Sequence, residues 1–190
     1  MAASSLCLPD IELKGSNMRR ISILGAVLVA AAVMTATALA AVTVKQLPTI
    51  SFNGASATVS GGNFSGLGNT DAIGTLTVQG IATYTCTNPQ GKASPGQNPV
   101  QAQPGSSGPQ SIHADKNGRA TVPNITATVT APPTPTAAEA GCGGGGASDK
   151  WTVTLNGLQV TSAHFEVTWS GQLVLCRDYT VGGPSTGTAC

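Results

Sequence analysis

The chain has 190 residues, of which 9% are charged and 4% aromatic, and it carries a formal net charge of +1. Beyond residue 40, six cations (Lys45, Lys92, Lys116, Arg119, Lys150, Arg177) are spread among six anions (Asp71, Asp115, Glu139, Asp149, Glu166, Asp178). A binder of phosphate backbones draws its affinity from a basic patch, so nucleic acid is not an expected partner.

Arg19 and Arg20 precede an apolar run over 21–44 that passes through Ala38-Leu39-Ala40. Basic residues, then an apolar stretch, then small residues are the order of a signal peptide. We expect cleavage after Ala40, export to the extracellular space, and no stable membrane association afterwards. Residues 1–40 are then the signal segment, with 1–17 read as an upstream start-site extension, because Met18-Arg19-Arg20 opens a compact signal by itself. Residues 41–190 form one domain, which at this length buries roughly two thirds of its surface and needs no cofactor to fold.

Beyond the signal, 42–52 and 55–60 are short β-branched runs broken by the turns Asn53-Gly54 and Gly61-Gly62. The stretch 75–86, TLTVQGIATYTC, is the strand around which the rest is organised. Leu76, Val78, Ala82, Tyr84 and Cys86 share one face with Gly80 while the polar residues take the other, and only Ile81 breaks the alternation. Residues 87–108 carry Asn88-Pro89, Pro95-Gly96, Asn98-Pro99 and Pro104-Gly105 and read as a long surface loop. A hairpin follows, 110–114 and 119–130 about the turn Asp115-Lys116-Asn117-Gly118, with Pro123 marking an edge or a bulge. A second loop, 131–149, leads to alternating runs at Trp151, Val153, Leu155 and at Phe165, Val167, Trp169, and Ser170-Gly171-Gln172 turns the chain into 173–176. About seven or eight strands and no helical period predict an all-β, immunoglobulin-like antiparallel β-sandwich.

Of the five cysteines, Cys7 leaves with the signal. Cys86, Cys142, Cys176 and Cys190 remain, an even number that in an oxidising compartment predicts two disulfides. No pair has metal-ligand spacing, and neither His113 nor His164 lies near a cysteine in sequence, so no metal site is expected. Three pairings are open. We favour Cys86 with Cys142, both at one end of antiparallel neighbours, and Cys176 with Cys190 through a glycine-rich tail that folds back. Cys86 with Cys176, across the sheets, is the rival.

Gly66 to Asn69, then Cys86, Asn88 and Pro89, 95–98, 137–142, Lys150-Trp151-Thr152 and 173–176 form an arrangement that resembles small exported proteins of high-GC bacteria. The resemblance implies a one-domain β-sandwich with no assigned activity. The chain departs from that pattern in the four glycines after Cys142 and in the terminal Cys190.

The residues offer little for catalysis. The glycine tract 141–146 lacks the preceding strand, following helix and lysine of a phosphate loop, and reads as a tether beside a disulfide. Asp115 to Gly118 opens like a calcium loop but has no acid at the bidentate position, so a hairpin turn explains it. His113 and His164 fall on outward faces as solvated residues, and Asp149, Glu166 and Asp178 are single and dispersed. By parity Trp151 and Trp169 are core residues rather than a sugar-binding platform. Asn63-Phe64-Ser65 and Asn124-Ile125-Thr126 match the glycosylation triplet.

We therefore expect a secreted, non-enzymatic β-sandwich with a structural, cell-surface or binding role. The alternatives are a carbohydrate- or protein-binding module using the 87–108 loop, and a self-associating filament or matrix subunit that exchanges the strand after the cleavage site.

Overall fold

The computed structural model describes residues 41–143 and 150–190. The expected signal segment and residues 144–149 of the second loop lie outside the described residues. Among the described residues there are twelve strands. In chain order they are β1 (Thr43–Gln46), β2 (Thr49–Asn53), β3 (Ser56–Ser65), β4 (Ala72–Thr87), β5 (Ala93–Pro95), β6 (Val100–Gln101), β7 (Gly105–Ser106), β8 (Gln110–Ile112), β9 (Arg119–Thr128), β10 (Thr152–Trp169), β11 (Gln172–Thr180) and β12 (Thr188–Ala189). Every pairing is antiparallel. Among the described residues no helix is long and apolar enough to cross a membrane.

The first sheet is built on β3, with β9 along one side and β1 then β2 along the other. The expected single strand over 42–52 is therefore two, parted at Leu47-Pro48, where proline has no N–H for the ladder. Gly61-Gly62, expected as a turn, is instead a pair of positive-φ residues inside β3, where the register against β9 shifts. A Cβ on Gly62 would stand 2.8 Å from the Pro48 nitrogen, so this close approach excludes other side chains. Pro123 sits where the β3–β9 register shifts, on an edge strand, which satisfies both expectations for it.

The second sheet is built on β4. Its even-numbered residues from Ala72 to Cys86 are all buried and the odd ones are not, the period read in the sequence. Along one side runs β10, along the other β5, β6, β7 and β8 in succession. The segment 87–108 is thus not a free loop, and it accounts for part of the excess over the expected seven or eight strands. Gly96 donates its N–H to Tyr84 O, Ala102 to Gly80 O and Ser107 to Leu76 O. Prolines at 95, 99 and 104 interrupt the run, so each piece is too short to show alternation.

The runs at Trp151 and Phe165, expected as separate strands, are one strand of 18 residues. Register shifts at Leu155/Gly157 and Val160/Ser162 each insert an extra residue and flip the buried parity, from Val153 to Leu158 and Val160, then to Ala163, Phe165 and Val167. At its end Ser170 (φ 49) and Gly171 (φ 77) make the two-residue turn into β11, both central residues left-handed as a type I′ hairpin requires.

The main core joins the two sheets: Val59, Phe64, Val122 and Ile125 from the first meet Leu76, Val78, Phe165, Val167 and Tyr179 from the second. Each fully buried large side chain there contributes about 1.5–3 kcal/mol. Burial pushes the Tyr179 phenol up to about 12. A smaller cluster, Ala82, Tyr84, Cys86, Ala137, Ala140 and Cys142, lies under the segment before β10 rather than under the first sheet. There Thr136 and Glu139 form a reciprocal cap: the Thr136 N–H donates to Glu139 Oε2 at 2.7 Å and the Glu139 N–H to Thr136 Oγ1 at 3.3 Å. This turn delivers Cys142 to Cys86.

Both tryptophans correct the sequence reading. They are half-buried at the two ends of β10, where the covering layer runs out, Trp169 against the main core and Trp151 against the smaller cluster. The Trp169 indole N–H donates to Leu67 O (3.1 Å) and Thr70 O (3.2 Å), which ties down the turn before β4.

Candidate functional site

The structure joins Cys86 to Cys142 and Cys176 to Cys190, the favoured pairing, and not Cys86 to Cys176. The first bridge is 1% exposed at both ends. The second lies on the outer face of β11, with Cys176 half-buried and Cys190 exposed. The tail folds back because β12 pairs with β11, and Arg177 Nε donates to Thr186 O at 2.9 Å.

The outer face of the first sheet is a ladder of small polar groups. Ser56 and Thr128 hydroxyls are 2.8 Å apart and Thr58 and Thr126 hydroxyls 2.7 Å apart. Asn63 donates to Gln46 Oε1 and accepts from Thr121 Oγ1, both at 2.8 Å, so this glycosylation-triplet asparagine is tied across to β1 and β9 while Asn124 is exposed at the bulge. At one end of this face a cleft of about 680 Å³ is lined by Lys45, Asn63, Ser65, Asp115, Arg119 and Thr121, with His113 at its edge, among others.

Two carboxylates near the cleft are spent on the fold. Asp71 Oδ1 accepts the Ala114 N–H at 2.9 Å and Oδ2 the Ser111 hydroxyl at 2.9 Å, with His113 Nδ1 3.1 Å from Oδ1. The Ala114 N–H foremost, then Ser111 and His113, holds the Asp71 carboxyl below its ordinary range. Asp115 Oδ1 accepts the N–H groups of Asn117 and Arg119, each at 2.8 Å, and the Arg119 N–H foremost lowers its pKa. These bonds make Asp115 to Gly118 a tight turn, but the expected hairpin of 110–114 with 119–130 is corrected: β8 pairs with β4 and β9 with β3, so the turn carries the chain from one sheet to the other and the two arms pair only at the bridge of Ala114 with Ala120. Lys45 and Arg119 take part in no ion pair within 4.0 Å among the described residues, whose ion pairs all involve His113 or His164. Both side chains line the cleft together with Asp115, whose charge acts on Arg119, so the cleft carries two cations against one lining carboxylate.

A second cluster centres on His164. It is not a merely solvated surface residue: its side chain is 40% exposed, with Nδ1 2.7 Å from Asp178 Oδ1 and Nε2 3.1 Å from Glu166 Oε1. The bond to Asp178 foremost, with that to Glu166, raises the imidazole pKa against the opposing effect of burial. Cys176 Sγ lies 3.9 Å from Nε2 and Cys190 Sγ 3.7 Å from Nδ1. The histidine remote from every cysteine in sequence is thus against both sulfurs of a disulfide. A depression of about 350 Å³ lined by Thr77, Gln79, Ser162, His164, Asp178 and Thr180, among others, adjoins it.

The signal for this cluster was faint. Counting back from the Ser170-Gly171 turn places Arg177 opposite His164. A register shift at Val167/Thr168 moves the partner by one residue and brings Asp178 there instead. Asp149 lies outside the described residues, and His113 stands at the cleft rather than near His164. No protein-family model matches this chain and no curated protein matches it.

Proposed function

We propose that the chain is an exported, non-enzymatic β-sandwich of immunoglobulin-like plan, akin to the small exported proteins its motifs resemble, that binds a carboxylate-bearing glycan in the cleft between Lys45 and Arg119. The observation that carries this reading is the charge arrangement there. Lys45 and Arg119 both line the cleft and neither is held in an ion pair among the described residues, while the one acid in the lining, Asp115, is bonded to the N–H groups of Asn117 and Arg119, so the cleft carries two cations against one carboxylate. Ser65, Asn63 and Thr121 line the same cleft and offer polar partners for sugar hydroxyls. Two disulfides and hydroxyl-rich outer faces support an extracellular setting. The segment 87–108, bonded along β4, is a weaker candidate for the binding element than this cleft. The non-enzymatic reading is supported at His164: its imidazole is bonded to two carboxylates and to no hydroxyl among the described residues, so the pair with Asp178 lacks a serine or threonine to activate.

Calorimetric titration with oligouronates and with neutral oligosaccharides of equal length tests the proposal. The acidic series is expected to bind, to weaken as salt is raised, and to lose its binding in the Lys45→Ala, Arg119→Ala double variant. Equal binding of the neutral series, or an acidic-series affinity untouched by the double variant, overturns it.

A further inference from the structure

The two disulfides differ in kind. Cys86–Cys142 is sealed in the smaller cluster, whereas Cys176–Cys190 lies on an outer face beside an imidazole that two carboxylates hold. Disulfide exchange needs an accessible sulfur to attack, and it is faster when the departing sulfur leaves as a stabilised thiolate. The two ends of this bridge divide those tasks. Both sulfurs lie against the imidazole, Cys176 Sγ 3.9 Å from Nε2 and Cys190 Sγ 3.7 Å from Nδ1, and exposure tells them apart: Cys190 is open to an attacking thiol while Cys176 is half-buried.

We propose that Cys176–Cys190 is a thiol–disulfide exchange site, at which an external thiol forms a mixed disulfide with Cys190 and Cys176 departs as a thiolate beside His164. This goes beyond glycan binding and does not depend on it. The thiolate of the incoming thiol attacks Cys190 Sγ, a new S–S bond forms there, and the electron pair of the old bond leaves on Cys176 Sγ. The imidazolium N–H at Nε2, within reach of both Glu166 and that sulfur, turns to the thiolate and stabilises it or supplies its proton. A second external thiolate then attacks the mixed disulfide, releasing Cys190 as a thiol and the reagent as its own disulfide. The groups facing the imidazole are Asp178 and Cys176 from β11, Glu166 from β10, the uncharged Thr77 from β4 and Cys190 beyond β12. Among the described residues no lysine or arginine forms an ion pair with these acids, so the histidine is the local cation.

The size of the effect follows from leaving-group chemistry. A thiol whose pKa falls by about two units beside a cation, with a sensitivity of about 0.5 per unit like that of an attacking thiol, departs about tenfold faster. The experiment treats the full secreted chain with glutathione over a range of pH, quenches with iodoacetamide, and maps peptides by mass. The Cys176–Cys190 bridge is expected to open while Cys86–Cys142 stays closed, and the glutathione adduct to fall on Cys190. Divided by the glutathione thiolate fraction, the rate is expected to decline above the His164 pKa. In His164→Gln it drops about tenfold and loses that inflection, while His164→Lys keeps the rate without the inflection. Protection of Cys86–Cys142 in each variant reports that the fold is intact. An adduct on Cys176, equal opening of both bridges, or a His164→Gln rate indistinguishable from the native one overturns the proposal.

Discussion

Replacing both Cys86 and Cys142 by Ala probes the part of the molecule that the first sheet does not cover. The bridge closes a separation of 56 residues, against 14 for Cys176–Cys190. On the chain-entropy model these loops contribute about 4 and about 3 kcal/mol respectively. The inner pair also buries two sulfur atoms against Ala82, Tyr84, Ala137 and Ala140, worth about 1 kcal/mol more. The outer pair, with Cys190 exposed, adds little packing. Loss of the inner bridge should therefore cost about 5 kcal/mol and loss of the outer about 3, a large share of the roughly 5–15 kcal/mol that holds a domain folded. Urea unfolding of the two double variants, followed by tryptophan fluorescence, measures both. Trp151 packs on the smaller cluster, so its signal should move with the inner pair. If removal of the outer bridge costs as much as removal of the inner one, the reasoning from loop length and burial is wrong.

Other expectations concern single side chains. Trp169→Phe deletes an N–H shared by Leu67 O and Thr70 O and should cost about 1–2 kcal/mol, with faster amide exchange at Leu67, which a deuterium-exchange profile would localise. The Tyr84 hydroxyl is buried with no hydrogen-bond partner among the described residues, so Tyr84→Phe should leave stability unchanged or raise it by about 1 kcal/mol. A fall in melting temperature would reveal a partner for that oxygen. Stability should also depend on pH from both sides. His164 has a raised pKa, so the stabilisation it draws from Asp178 and Glu166 is complete below its ordinary value of 6.5 and is lost as pH climbs through the raised value. Asp71, Asp115 and Glu139 have lowered pKa values, and their contribution is complete above the ordinary 3.8 and 4.5 and is lost as pH falls from there through the lowered values. Melting temperatures across pH should show a maximum between about 4.5 and 6.5, and His164→Gln should flatten the decline on the alkaline side.

What could be read along the chain was whatever depends on near neighbours. The alternation of β4 is a property of extended backbone, in which successive side chains point to opposite faces, so its buried set was legible residue by residue. Pro123 declared an edge because it lacks a donor, and the Ser170-Gly171 turn declared a hairpin. The capping pair Thr136 and Glu139 was equally local, a Thr-x-x-Glu spacing that the loop reading passed over.

Contacts between distant segments decided the rest. Nothing near 93–112 says that its pieces lie along β4: each is too short for a period, and although β5 pairs with the nearby end of β4, β6, β7 and β8 pair with stretches of it farther back along the chain. The bulges in β10 lie where its register against β4 shifts, and each reverses which side chains face the core. The cleft of Lys45 and Arg119 needs β1 and β9 on opposite sides of β3. The His164 cluster depends on one further shift, at Val167/Thr168, that exchanges Arg177 for Asp178 across the ladder. A one-residue slip between paired strands is nearly invisible in a linear pattern, yet here it turns a cation into a carboxylate beside the imidazole. The sequence alone determined the alternating faces of β4 and the local turns, and the tertiary pairing and register decided how the remaining strands are divided, which of their side chains face the core and which charges meet.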